Sequence, residues 1–451
     1  MSNLDQLLAE PRHLVVICGG AVSGSEAAAI CAARGVLAVV LEQNTRPYGK
    51  IEDGLPRWHD KLRRQEYARI DENLSRPGVV FVPRVTLGRD LKLPELAARP
   101  GVSAVLLANG AWRDRPLVLD GIDHLQGKGF VYQNPFVYWF NHYEDTDYAG
   151  PAYGVEQGAI VVGGGLASVD VAKIINLELY RNALALRGID VSIIELEHTG
   201  IPKTLAAHHL NVEDLGITGA TIYYRRRVQD MPIAFPKDST PEQIKRTELV
   251  REKMVKILAE KYLLRVKDCH IPVAPLRDGE RLRGLRFRRS RMEQGKLIEV
   301  ADSDYEVESK LVISSIGSVP EPLPDIPRKG ELYDFIDAAT GAVRGQTGVF
   351  GLGNVLTGQG NIKDSRENAH EIMEGAVLAY LGIEERSAGE TMLGVAPSRR
   401  EQISNVIDHA VSTPKATPEQ LRSFMNLVYA RWREVDYPGH YASWIERHRP
   451  T

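Results

Sequence analysis

The sequence predicts an α/β protein made of two three-layer domains, one inserted into the other. Three observations carry that expectation: an apolar run near residue 14 that enters a glycine-rich turn and an alanine-rich helical stretch, a second such opening near residue 158, and a further apolar run entering a glycine turn near residue 349. A strand that turns through glycine into a helix opens a parallel-sheet unit, and two of them suit 451 residues when a domain takes roughly 100–200. The composition, 43% hydrophobic and 25% charged with a formal charge of −3, is that of an ordinary globular protein and gives no push toward nucleic acid or membrane.

The first opening starts with the apolar run Leu14 to Cys18, turns through Gly19-Gly20-Ala21-Val22-Ser23-Gly24, and runs helically to Arg34. A second apolar run from Val36 to Leu41 ends at Glu42, completing strand, turn, helix, strand. Val102 to Ala108 is another buried-strand candidate, ending at Asn109-Gly110-Ala111 where glycine lets the backbone turn away. The second opening is Gly158 to Val162, the turn Gly163-Gly164-Gly165-Leu166-Ala167-Ser168, and helical spacing from Val169 to Leu179. Leu282 to Arg289 alternates apolar and basic residues, and the strand-like runs from there to Gly317 read as an antiparallel meander closing the second domain. Val349 to Asn354 is one more strand entering a glycine turn, with a helix expected over Ala369 to Leu381. The expected boundaries are 1–150 for the first part of one domain, 151–334 for the inserted domain, 335–383 for the return segment and 384–451 for a helical C-terminal extension.

A dinucleotide pyrophosphate needs a turn with little side chain, so that backbone N–H groups and the positive helix end can approach its oxygens. Both turns are Rossmann-like in that sense. In the first, Ala21 occupies the middle glycine of G-x-G-x-x-G and its methyl crowds the approach. Glu42, at the end of the next strand, is placed to accept hydrogen bonds from both hydroxyls of an adenosine ribose, which favours FAD or NAD over a 2′-phosphate. The second turn has Gly163 and Gly165 at the first two fingerprint positions and Ser168 at the third. Its partner is open: a strand over Ile189 to Ile194 puts Glu195 or Glu197 at the ribose and predicts NAD, whereas a strand over Ala220 to Tyr224 puts Arg225, Arg226 and Arg227 there and predicts NADP. Spacing favours the glutamates.

Cys18, Cys31 and Cys269 form no CxxC or CxxxxC pair, which excludes a redox disulfide and any sequence-evident iron–sulfur or zinc site. Residues 1–12 carry Asp5 and Glu10 and lack the basic start and apolar core of a signal peptide, and no stretch approaches ~18 uninterrupted apolar residues. The expectation is a cytoplasmic protein with no membrane, metal or nucleic-acid partner. Lys245 to Lys256 reads as a helix whose basic residues could receive an acidic carrier, and the arginines from 281 to 291 read as the outer face of a strand. The tail aromatics Tyr441 and Trp444, with His440, are expected to pack on the protein's own body.

Together these stretches resemble the adrenodoxin reductase family of NADPH:ferredoxin reductases and its relative, the small subunit of NADPH-dependent glutamate synthase. Pro47-Tyr48-Gly49 and His59 stand where those families carry a Pro-aromatic-Gly segment and a histidine. Val80 to Asp90 is similar to their valine-bearing strand beside the flavin, GGGLASVDVAK at 163–173 to their GxGNVALDVAR, and Tyr224-Arg225-Arg226 with Met231-Pro232 to the glutamate synthase pattern. Leu311 to Gly317 is similar to the hinge strand, and Gly353-Asn354 with Gly360-Asn361-Ile362 to the segment that meets the isoalloxazine. Asn354 replaces the family's tryptophan or aspartate, and Arg57-Trp58-His59 replaces Pro-Asp-His.

The resemblance implies FAD in the discontinuous domain and NADPH in the inserted one, with NADH as the alternative. Cofactor contacts are then expected at Gly19, Gly20, Ala21, Ser23, Gly24, Glu42, Gly49, Val85, Asn109, Gly110, Gly353, Asn354, Gly360, Asn361 and Ile362 for one nucleotide, and at Gly163, Gly164, Gly165, Leu166, Ala167, Ser168, Arg225 and Arg226 for the other. His59 is the expected catalytic residue. The implied activity is hydride transfer from NADPH to FAD and onward electron transfer to a ferredoxin-type carrier. The alternatives are an electron-input subunit of a larger complex and a non-catalytic nucleotide-binding protein; a homo-oligomer is open.

Overall fold

The computed structural model describes residues 3–358, 361–383 and 413–449. They form two compact units, one of residues 1–52, 61–113 and 319–451 and one of residues 53–60 and 114–318.

In the first unit a five-stranded parallel sheet runs in the order Val349–Gly351, Val102–Leu107, Leu14–Cys18, Leu37–Glu42, Val79–Pro83. Leu14–Cys18 is buried at every position, as a strand covered on both faces must be. Its side chains alternate: Val16 and Cys18 join Val39, Leu41, Val80 and Val105 in one core, shared with Leu421, Phe424 and Met425 of the Pro418–Glu434 helix. Each such buried Val or Leu stabilises the fold by about 1.5–3 kcal/mol. The Val22–Ala33 helix packs on the sheet and is contacted in turn by the Ile362–Ile372 helix. That last helix starts before the expected Ala369 and passes through a single π-turn at Met373–Val377 before ending at Tyr380.

The second unit holds a five-stranded parallel sheet in the order Phe130–Tyr132, Val312–Ser315, Ile160–Gly163, Thr221–Tyr223, Arg265–Lys267. One sequence expectation fails here, and of the two strands left open as partner to the second turn only the one near Ala220 to Tyr224 forms. Val312–Ser315 does not close the meander but returns to the parallel sheet between Phe130–Tyr132 and Ile160–Gly163, while the antiparallel sheet is built by His270–Asp278, Arg281–Glu293, Lys296–Glu299 and Tyr305–Glu308. The stretch from Ile189 to Ile194 is not a strand. Ser192 Oγ accepts the Glu195 N–H at 3.1 Å and caps a helix over Ile193–Thr199, because a serine at the N-cap satisfies an orphan donor at a helix start.

The arginines of Arg281–Glu293 form a cross-strand ion-pair ladder: Arg283 with Glu306 and Glu308, Arg286 with Glu306, Arg288 with Glu299 and Asp304. Among the described residues no helix is long and apolar enough to cross a membrane.

Candidate functional site

The first glycine turn is shaped by what a Cβ would strike. On Gly19, at φ +105°, it would lie 2.5 Å from the Ala108 carbonyl oxygen, and on Gly24 it would run into the Gly19 carbonyl. Gly24 therefore seats the helix against the turn, and its small size serves packing. Gly20 donates its N–H to Glu42 Oε2 at 2.8 Å, and Asn44 donates to Oε1 at 2.9 Å. Glu42 is buried, so these charge-assisted bonds fix its carboxylate at the strand end. Ala21 sits at the N-cap of Val22–Ala33, whose first-turn N–H groups have no intrahelical acceptor. Gly49, at φ +54°, leaves room for the Ala21 methyl, since a Cβ there would approach it to 2.9 Å.

The return segment reaches the same helix end. Gly353, at φ +64°, lies against Ser23, donates its N–H to Asn368 Oδ1 at 2.7 Å, and precedes Asn354, whose Oδ1 accepts from Ser365 Oγ at 3.3 Å. Ser23 Oγ donates to the Ser365 carbonyl at 3.1 Å. Asn361 caps the Ile362–Ile372 helix through Asp364 N–H at 3.0 Å, so Asn361 and Ile362 contribute a second helix N-terminus. Gly360 lies outside the described residues. Val85 is buried and donates its N–H to the Glu42 carbonyl at 2.8 Å. Gly110 holds a left-handed turn at φ +65°, and beside it Asn109 Nδ2 donates to Tyr333 while its buried Oδ1 accepts from no group among the described residues. Asn368 and Ser365 escaped sequence reading, because nothing in a helical stretch marks a side chain that turns back to a distant glycine.

In the second unit, Gly163 lies against the Ser315 carbonyl and Gly164 against the Tyr224 ring, each too close for a Cβ. Gly165 caps the Leu166–Ala185 helix, Leu166 and Ala167 are exposed at its start, and Ser168 is buried with its Oγ bonded to the Gly165 carbonyl at 2.6 Å. Tyr224 carries Arg225 and Arg226 on from the strand beside this turn. Both are exposed and form no ion pair among the described residues, whereas Arg227 is held by Asp230 at 2.8 Å and faces Glu248 at 3.6 Å. The glutamates go elsewhere. Glu195 is on the capped helix, and Glu197 bonds to the buried Lys173 at 2.8 Å and to the Tyr262 hydroxyl at 2.6 Å.

His59 ends the short 3-10 turn Arg57–His59, and its Nε2 lies 4.0 Å from Asp170 Oδ1 in the Leu166–Ala185 helix. Arg57 packs over the Phe140 and Tyr143 rings and pairs with Glu144, and Trp58 is buried with Lys173 Nζ 4.4 Å from its ring. Asp170 was missed although it stands within the stretch quoted for the second turn; about one turn of helix carries it to His59.

Outside these sites, Tyr441 donates to Asp71 at 2.6 Å and Trp444 to the Thr45 carbonyl at 2.8 Å, so the tail packs on its own unit as expected, while His440 is exposed. Burial pushes the Cys18 and Cys31 thiols up to about 12, which keeps them unreactive.

No protein-family model matches the chain. Over 168 residues it is 27% identical to the mitochondrial NADPH:adrenodoxin oxidoreductase of Arabidopsis thaliana, a match covering 37% of this chain and 33% of that protein. The chain thus spans about a third of the length of the curated relative it matches. Its fold is similar to that of the oxidoreductase FprA from Mycobacterium tuberculosis, solved in complex with NADPH and as a His57Gln mutant, with a TM-score of 0.63 and 18% identity over 89% of this chain and 90% of that one. Over the matched region the sequence is similar to that NADPH:adrenodoxin oxidoreductase, and over most of its length the fold is similar to that of FprA.

Proposed function

We propose that this protein is an FAD-dependent NADPH oxidoreductase that passes electrons on to a ferredoxin-type acceptor. The observation that carries the reading is the pair of glycine turns with opposite complements: a fixed carboxylate, Glu42, at the first, and two unengaged guanidinium groups, Arg225 and Arg226, next to the second. The first set fits a flavin dinucleotide. Two helix N-termini offer backbone donors beside the bare Gly19–Gly24 turn, and the buried Asn109 Oδ1 offers an acceptor with no partner among the described residues. When bound, the flavin supplies hydride acceptance and one- or two-electron release.

The chain's own residues provide position and charge. Gly20, Ala21 and Ser23 would meet the pyrophosphate, Glu42 the ribose, and Asn109 and Asn354 the remaining polar atoms. Arg225 and Arg226 would hold the 2′-phosphate of NADPH, which the alternative partners Glu195 and Glu197 cannot contest from a capped helix and a buried ion pair. His59, with Asp170 behind its Nε2, would hold and pass a proton as the charge at the site changes.

The acceptor surface is read from the Pro241–Tyr262 helix, where Lys245, Arg246, Lys253 and Lys256 are exposed and suit an acidic carrier. Arg251 is not part of it, because its guanidinium is bonded to the Ala234 and Gln229 carbonyls. A second reading, the electron-input subunit of a larger complex, is favoured by one feature: Leu249 and Ile257 on that helix are 59% and 46% exposed. Co-purification with a second chain would select it.

The deciding experiment is an anaerobic absorbance spectrum before and after one equivalent of NADPH or NADH. A yellow protein bleached by NADPH is the expected result; a colourless protein, or a yellow one that neither nucleotide bleaches, overturns the proposal.

A further inference from the structure

Residues 53–60 belong to the second unit although they stand in sequence between two pieces of the first. Such an excursion must be fastened, and the fastenings of its first half lie at one helix end. Asp53 Oδ1 lies 3.3 Å from His142 Nε2, the Leu55 carbonyl accepts from Asn141 Nδ2 at 3.1 Å, and Arg57 reaches Tyr143 and Glu144. His142 is the last residue of the Gln133–His142 helix, where the partial negative charge of the helix end favours a cation. Its second ring nitrogen, Nδ1, is 2.8 Å from Asp145 Oδ2. A neutral imidazole carries one N–H, so two carboxylates can both be satisfied only by the imidazolium.

We propose that His142 is a positioning residue for His59: its doubly protonated ring, held between Asp53 and Asp145, pins the start of the segment that sets His59 over Asp170. The proposal rests on the proton role given to His59 above. The groups facing His142 are few. Asp145 comes from the turn that follows it, Asp53 from the segment itself, and the Tyr138 ring lies one turn back at 4.5 Å between centroids. Burial works against the charged ring, but hydrogen bonds and attraction from Asp53 and Asp145 outweigh it and raise its pKa above the usual histidine value. The pin is therefore fully present below the ordinary histidine range and is lost as pH rises through the raised folded-state value.

The test is hydrogen exchange of the full chain, read by mass spectrometry over residues 53–60 and corrected for intrinsic rates, between about pH 6 and about pH 9. Wild type should lose protection in this segment by roughly 10- to 100-fold across that range, the worth of charge-assisted hydrogen bonds. H142Q should have low protection throughout, and H142K should keep it high at both ends. Carbethoxylation of His59 by diethylpyrocarbonate, compared at one pH, should be faster in H142Q than in wild type and restored in H142K. Should H142Q fail to fold, D53A removes the same bond and should behave alike.

Unchanged protection in H142Q would show that His142 pins nothing. Lost protection with unchanged His59 labelling would show that the pin does not position His59, and either result overturns the proposal. Neither readout needs turnover, so a wild-type protein that no nucleotide bleaches sinks the proposed function and leaves this result standing on its own.

Discussion

The two glycine turns share one backbone plan and differ in what surrounds it. At the first, Gly24 is locked under the Gly19 carbonyl, Ala21 fits only because Gly49 opposite is bare, and a buried carboxylate follows on the next strand. At the second, Ser168 takes the place of Gly24 and bonds the Gly165 carbonyl, the Tyr224 ring presses on Gly164, and arginines follow the next strand. On the proposed function the cradle is generic, and its choice of nucleotide would be made by the residues that the neighbouring strand delivers. In the first unit that strand comes at once. In the second, three helices, Ile193–Thr199, Ile201–Ala207 and Val212–Leu215, intervene before Thr221–Tyr223, so counting along the sequence misleads.

The largest effect expected from this contrast is at the third glycine position. Gly24→Val forces a side chain into the Gly19 carbonyl and should cost about 3 kcal/mol or more, with loss of bound flavin on purification. A folded protein with full flavin content and an unchanged melting temperature would show that the helix has room to move.

Next is the pair Arg225→Ala and Arg226→Ala, which should raise the NADPH KM by roughly 10- to 100-fold and leave the NADH KM nearly unchanged. Equal effects on the two coenzymes in steady-state kinetics would detach these arginines from the 2′-phosphate.

Smaller still is Gly49→Ala, expected to cost about 1–2 kcal/mol from contact with the Ala21 methyl and the left-handed backbone. Adding Ala21→Gly should recover the contact part, read as a coupling in a denaturation double-mutant cycle. No coupling would mean that the two positions relax independently.

Least is Ser168→Gly, which restores the fingerprint at the second turn yet should destabilise by about 1 kcal/mol, through one lost hydrogen bond and helix entropy. An unchanged melting temperature would show that the Ser168 hydroxyl contributes nothing at this turn.

Both openings could be read from residues alone because strand, turn and helix are contiguous and each leaves a local signature: apolar run, glycines, apolar spacing. Leu14–Cys18 and Ile160–Gly163 were legible for that reason. What escaped was set by contacts distant in sequence. Val312–Ser315 follows antiparallel strands and gives no local sign that it will lie between Phe130–Tyr132 and Ile160–Gly163. The Ser192 cap was written in the sequence, but the apolar run behind it suited a strand equally well. His59 was found by resemblance, whereas Asp170 and His142 become its neighbours and supports only through folding.

The placement of Val349–Gly351 bears on how such a chain is made. Synthesis runs from the N-terminus, and a ribosome that has released about residue 340 has already supplied every strand of the second unit's parallel sheet, the last being Val312–Ser315. The first unit at that moment still lacks an edge strand and the Ile362–Ile372 helix that covers Val22–Ala33. Its long-range closure is deferred to the end, so the nascent chain carries an open parallel-sheet edge through most of its birth, and the inserted unit matures before the one that encloses it in sequence.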